Sequence, residues 1–332
     1  MSPARLSVFF RHLDVDLEHS APESIDLGRL CLRAAQRVGG DALGQLTAES
    51  GDMDAAQFAD RLRANPKLFG ELESEAIARG VAHGPLGQVA AHAADHYDRL
   101  ARTDSPARTA ALVPVLALSA LVALVAVFSI EVIPRFADAF RALAKPWLTR
   151  AVIYGAILFK VVILPLAATA VLLAVVLAFY WRTPEGQARL SRAALRVPWL
   201  GEVLARWSAA RFCAQAAFGC QMGDAPADAV AHASACCRCE PLRAALGADA
   251  DAPRHPAFAD IRDAVERTDS PHGLADRLLA EFSRLQPHLG FLSQRIVAAS
   301  QIALVVLTLV VCALVVSGML LALRTLSESV SH

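Results

Sequence analysis

Polar and apolar positions follow two different rhythms along this chain of 332 residues. In residues 1–108 and 182–295 apolar side chains recur at helical spacing. Phe9, Leu13 and Leu17 stand at i, i+4 and i+8, and Leu278, Phe282 and Leu285 at i, i+4 and i+7, which is one face of an amphipathic helix. Alternating β-branched runs are missing, and Asn65-Pro66, Gly84-Pro85, His255-Pro256 and Pro271-His272-Gly273 punctuate the helical stretches. The second rhythm carries no charge at all. Thr109 to Ile130 is a run of 22 uncharged residues, about 33 Å as a helix and enough for a hydrocarbon core of about 30 Å. Ile296 to Leu323 is a run of 28, which spans with tilt or with one end in the interface. Ala151 to Trp181 is broken only by Lys160. A lysine at a span centre costs about 2.5–3.5 kcal/mol, so Val161 to Trp181 is the better frame, with Lys160 at one edge and Tyr180 and Trp181 as anchors at the other. Pro114 and Pro165 fall inside these runs, where membrane helices tolerate them.

The pattern predicts an all-α integral membrane protein with three transmembrane helices and two helical-bundle cytoplasmic modules. The expected order is a module at 1–108, a span at 109–130, a periplasmic loop at 131–160, a span at 161–181, a second module at 182–295, a span at 296–323 and a periplasmic tail at 324–332. Composition agrees: 55% of residues are hydrophobic, 19% are charged and mean hydropathy is +0.41, whereas soluble domains carry about 25% charged residues. The 32 basic and 32 acidic residues cancel, which argues against a dedicated nucleic-acid binder. No signal peptide is expected, because Arg5, Arg11, Asp14, Asp16 and Glu18 crowd the first 20 residues. With the N-terminus inside, the cytoplasmic flanks 94–108, 182–196 and 281–295 hold 9 Lys and Arg in 45 residues, against 6 in 39 outside. That bias favours the inside orientation slightly.

The two modules resemble each other. Phe9, Ser20 and Pro22 have counterparts in Phe212, Gly223 and Pro226; Asn65-Pro66-Lys67-Leu68-Phe69 in His255-Pro256-Ala257-Phe258; and His83-Gly84-Pro85-Leu86 in His272-Gly273-Leu274. The order is preserved, and a duplicated module explains it economically. Arg-Thr-Asp-Ser-Pro at 102–106 and 267–271 breaks that order and is read as coincidence.

Particular stretches are similar to the type II secretion F-type family, which includes the type IV pilus inner-membrane platform proteins. Val132-Ile133-Pro134-Arg135-Phe136-Ala137-Asp138-Ala139-Phe140 resembles that family's exit from the first span. Arg182-Thr183-Pro184-Glu185-Gly186 with Leu195-Arg196-Val197-Pro198-Trp199-Leu200-Gly201 resembles its linker, and Arg211-Phe212 through Gly223 the opening of its second module. Some members bind calcium through acidic groups, but Gly80-Val81-Ala82-His83-Gly84 lacks the carboxylate here, and only Asp269 stands in the second copy. The resemblance implies a non-enzymatic platform in the bacterial inner membrane, multi-pass with a cytoplasmic N-terminus. It would couple a cytoplasmic secretion or pilus ATPase to assembly of pilins or pseudopilins, together with other inner-membrane assembly proteins and further copies of itself.

The chemistry of enzymes is hard to find. Lys67, Lys145 and Lys160 are the only lysines and none follows a glycine, so no P-loop exists; nucleophile-elbow and zinc-protease motifs are also missing. No cofactor is expected. The three spans contain no Asp, Glu, Lys, Arg or His, which counts against the alternative of a small-molecule transporter or channel component. His232, Cys236 and Cys239 would share one face of a continuous helix and meet a soft metal there. Unpaired, partly buried cysteines are the other reading, and a reducing compartment favours it. The seven cysteines imply no disulfide framework. Arg182, Arg189, Arg192, Arg196, Arg206 and Arg211 form a basic stretch after the second span, suited to anionic headgroups or to an acidic face of the ATPase. Phe136 and Phe140, at i and i+4 in the outer loop, are candidates for contact with neighbouring subunits or pilins, or for an interfacial turn.

Overall fold

A computed structural model describes residues 1–19, 26–39, 53–127, 130, 161, 183–237, 239–247, 255–268 and 270–330. Among these no residue lies in a strand. The helices are α1 (Pro3–Glu18), α2 (Leu27–Val38), α3 (Ala55–Ala64), α4 (Pro66–Phe69), α5 (Glu71–His83), α6 (Leu86–Val127), α7 (Pro184–Leu195), α8 (Pro198–Gln221), α9 (Pro226–Cys236), α10 (Glu240–Leu246), α11 (Pro256–Glu266) and α12 (Pro271–Val330).

Local chemistry sets their ends. Proline stands in the first turn of α1, α4, α8, α9, α10 and α11, where its missing N–H would lack an intrahelical partner anyway and its fixed φ suits the helix. The prolines that read as punctuation in the sequence are therefore mostly helix starts. Asp26 caps α2 by accepting from the Arg29 amide at 3.1 Å. Asp54 and Gln57 form a reciprocal capping box on α3. Gly39, at φ 67°, closes α2 in the left-handed region, and Gly223, at φ 93°, makes the turn between α8 and α9; an L side chain is strained at either place.

The chain forms two compact units. One comprises Met1–Ala107 with Pro184–Phe291, the other Arg108–Thr183 with Leu292–His332. In the first unit a single hydrophobic core joins both halves of the sequence. The face of α1 buries Leu6, Phe9, Phe10 and Leu13, and α6 buries Val89, Ala90, Ala93, Ala94 and Tyr97. Phe10 stacks on Tyr97 with centroids 5.7 Å apart, and the Tyr97 hydroxyl donates to the Phe69 carbonyl at 2.8 Å. The central helix is α8, whose Ala205, Ala209, Ala210, Phe212, Cys213, Ala214, Ala216 and Ala217 are all fully buried. Phe9 and Phe212 are buried in α1 and α8, Phe69 and Phe258 are buried beside the Pro66 and Pro256 helix starts, and α6 and α12 are the long last helices.

The second unit is apolar and open. Helix α12 runs unbroken to Val330 through Pro287, past both predicted ends of the span at 296–323. Its stretch Pro271–Val310 is long and apolar enough to cross a membrane, and only 6% of its most apolar window is buried. Helix α6 carries the first predicted span as far as Val127, with Leu112, Leu116 and Val127 each more than half exposed. Of the second predicted span, 161–181, only Val161 is described, and it is exposed. The loop at 131–160, with Phe136 and Phe140, lies outside the described residues, as does Arg182.

Candidate functional site

The main polar site is a cleft where α5 and α6 of the first half meet α8 and α9 of the second. It encloses about 360 Å³ of empty space, mouth included, and Glu73, Arg79, His96, Gln215, Asp224, His232 and Cys236 are its polar lining. Arg79 on α5 pairs with Asp224 at 2.6 Å, and the carboxylate is only 4% exposed. The turn at Gly223 holds Asp224 in place, with its amide donating to the Gly219 carbonyl at 3.0 Å. His232 brings Nδ1 to 3.6 Å from the second Asp224 oxygen. Gln215 donates to Glu73 across the same seam at 3.4 Å.

His96 is fully buried at the seam. Its ring stacks on Phe218 with centroids 4.1 Å apart and planes 15° apart. Nδ1 faces the Ala214 carbonyl at 3.2 Å, so it must carry the proton, and Nε2 is left as an acceptor with no partner among the described residues. Burial, helped by Arg99 and opposed by that carbonyl, lowers the imidazole pKa to about 3, so the ring is neutral at pH 7. Arg79 Nε is likewise buried without a partner. Further along, Asp104 accepts from Trp207 Nε1 at 3.1 Å and from Arg211 at 3.5 Å, while the Arg211 guanidinium lies 5.2 Å from the Trp207 ring centre. At Gly80, where α5 meets the end of α8, a Cβ would come within 2.5 Å of Met222 Sδ, so that methionine would have to shift.

This seam ties the two halves together through paired charges and stacked rings, which is the chemistry of a docking contact. Sequence reasoning missed it because its partners lie more than a hundred residues apart, as with Arg79 and Asp224. One signal was available. Helix α8 carries an alanine-rich run with few charges, Ala205, Ala209, Ala210, Ala214, Ala216 and Ala217, and so many small apolar residues in a water-exposed module point to a central helix.

The proposed metal ligands part company. Helix α9 ends at Cys236, Cys237 is extended at φ −72° and ψ 117°, and Cys239 precedes α10. The shared face therefore stops at Cys236: His232 and Cys236 line the cleft, and Cys239 is buried elsewhere, within reach of the Ser208 hydroxyl. Pro241 is the reason, since a helix continued through it would lack a donor and clash with the carbonyl at 237. Burial pushes the Cys236 thiol up to about 12 and Cys237 to about 11, and raises Cys239, so all three are thiols at neutral pH. Among the described residues no group of three or more His, Cys, Asp or Glu is arranged to hold a metal.

The basic stretch also divides. Arg206 pairs with Glu202 one turn earlier, and Arg211 is held by Asp104. Arg192 reaches Glu240 at 2.9 Å while staying 58% exposed. Arg189 and Arg196 are exposed and have no ion pair among the described residues. Together with Arg192 they stand at i, i+3 and i+7 on and just past α7, whose other side buries Ser191 and packs Leu195 on the core.

No protein-family model and no solved structure matches this chain. It is similar to the type IV pilus assembly protein PilC of Myxococcus xanthus (strain DK1622), 27% identical over 159 residues. That alignment covers 47% of this chain and 38% of the relative, so less than half of either protein is matched. On an all-helical chain with a long exposed apolar helix, this likeness supports a relationship to the PilC-like type IV pilus proteins, and nothing finer.

Proposed function

We propose that the chain is an assembly platform of a type IV pilus or type II secretion machine in the bacterial inner membrane. The observation that carries this is the likeness to a pilus assembly protein. The exposed apolar stretch of α12 and the apolar continuation of α6 support a membrane setting. In this reading 109–130, 161–181 and 296–323 cross the bilayer, the N-terminus is cytoplasmic, and 1–108 and 182–295 are duplicated modules. The platform is non-enzymatic and oligomeric. Its helical body receives the stroke of a cytoplasmic ATPase and passes it to pilins or pseudopilins in the membrane.

The test is deletion of the gene in its host, followed by assays for surface fibres, secreted protein and solute uptake. Loss of fibres or secretion at normal pilin levels is expected, restored by the intact gene. Unchanged fibres and secretion with impaired solute uptake would replace this reading with a transporter. Reporter fusions at residues 140 and 240 are expected outside and inside, respectively; a cytoplasmic signal at 140 overturns the orientation.

A further inference from the structure

We infer that the outer face of α7 is a docking surface for anionic phospholipid headgroups, read through Arg189 and Arg196 with a smaller share from Arg192. The inference rests on the membrane part of the proposed function. Its first support is the contrast within one run of arginines. Arg206 and Arg211 are committed to Glu202 and Asp104, Arg192 is shared with Glu240, and only Arg189 and Arg196 among the five described have no ion pair among the described residues. Two guanidiniums on one face with no ion pair among the described residues call for an anion from outside the described fold.

The second support is position. Helix α7 begins at Pro184, three residues after the predicted end of the apolar segment at Trp181. Arg189 and Arg196 therefore fall within the roughly 15–20 residues over which basic groups interact with a membrane surface. The third is chemistry. A guanidinium presents a planar fork that engages a phosphodiester through two parallel hydrogen bonds, and an anionic leaflet concentrates such groups at the required depth. An acidic protein surface would satisfy the same charges, but no such partner is tied by the chain to this place, whereas a bilayer at Trp181 is.

The test uses the full chain in nanodiscs of phosphatidylcholine mixed with phosphatidylglycerol, with the lipids retained after extraction counted by native mass spectrometry. Wild type is expected to enrich phosphatidylglycerol. Arg189→Gln with Arg196→Gln is expected to cut that enrichment about 25-fold, given roughly fivefold for each basic group near an anionic surface. Arg192→Gln is expected to have a smaller effect, and Arg206→Gln none. Added salt should erode the wild-type preference. Equal retention of both lipids by wild type, or an enrichment that survives the double substitution, overturns the inference. So does a double variant with unchanged lipids that no longer co-purifies with the secretion ATPase, because the face then serves a protein. A chain that supports no fibres yet shows the lipid preference separates failure of the platform reading from failure of this one.

Discussion

Two helices of this protein are both largely apolar and have opposite surroundings. Helix α8 is rich in alanine, and Ala205, Ala209, Ala210, Ala214, Ala216 and Ala217 in its middle are completely buried. The stretch of α12 from Ile302 to Leu320 is apolar and uncharged throughout, yet Ile302, Leu309 and Leu320 are each more than 60% exposed. The difference lies in side-chain size. Small residues let the helices of the folded unit approach α8 from several directions at close range, so its alanines fill space without voids. The Leu, Ile and Val of α12 project bulky side chains outward, which suits acyl chains and would leave gaps in a packed body. Both helices read as largely apolar, and residue volume, together with the charges Glu202, Arg206 and Arg211 that α8 carries and this stretch lacks, tells which one is surrounded by protein.

Placing the same charge in each helix is the strongest way to break this contrast. Ala214→Asp puts an unpaired carboxylate into a fully buried site and is expected to unfold the first unit, at a cost above about 4 kcal/mol. Val306→Asp, at a position 55% exposed, should leave the body folded in detergent. It should lower membrane insertion by about 2.5–3.5 kcal/mol. Circular dichroism of the purified protein and a glycosylation-type insertion assay read the two effects separately; equal unfolding by both would erase the distinction.

Asp224→Ala comes next. It strands Arg79 at the seam between α5 and the α8–α9 turn and is expected to cost roughly 3 kcal/mol, seen as a lower denaturation midpoint with an unchanged slope. A steeper or shallower slope would mean that the two halves come apart in separate steps, and that α8 is less central than its burial implies. Ala210→Leu should then cost about 1–3 kcal/mol by overpacking α8, whereas Ala303→Leu, on an exposed position of α12, should be neutral or improve retention in the membrane.

The smallest effect is the one with pH. His96 is held neutral, its folded pKa lowered by burial from 6.5 to about 3. Above pH 6.5 the ring is neutral in both states and its contribution is complete. Below that, the unfolded chain gains the proton first, so stability falls by about 1.4 kcal/mol per pH unit until the folded pKa is reached. Asp14 works in the opposite sense, since burial, with Glu18 and Asp95 nearby, raises its pKa, so the His96 slope is cleanest between pH 5 and 6.5. Unfolding by denaturant across that range should show the slope in wild type and lose most of it in His96→Phe.

Much of this could be read from residue order. The helices around Phe9 and Leu13, and around Leu278 and Phe282, follow from spacing, and those residues are buried as their face requires. The apolar runs announced α6 and α12. Other features needed coordinates. The proposed metal face assumed a helix through Cys239, and Pro241 ought to have shortened it. Arg206 had a legible partner in Glu202 four residues away, whereas Arg211 meets Asp104 from 107 residues off, a pairing no local pattern encodes. The seam of Arg79, Asp224 and His96 was invisible for the same reason. Each of those residues looks ordinary until the two modules are brought together.

Helix α12 runs unbroken for 60 residues, and this makes it a rotary index. Each residue added to an α-helix advances everything beyond it by about 100° and 1.5 Å. A single insertion between Leu285 and Ile302 would therefore turn the apolar stretch by more than a quarter of a circle while its hydropathy profile stayed the same. An insertion of seven, close to two whole turns, would restore the azimuth to within about 20° and change only the length. A ladder of such insertions separates the direction in which the helix faces from the distance it spans.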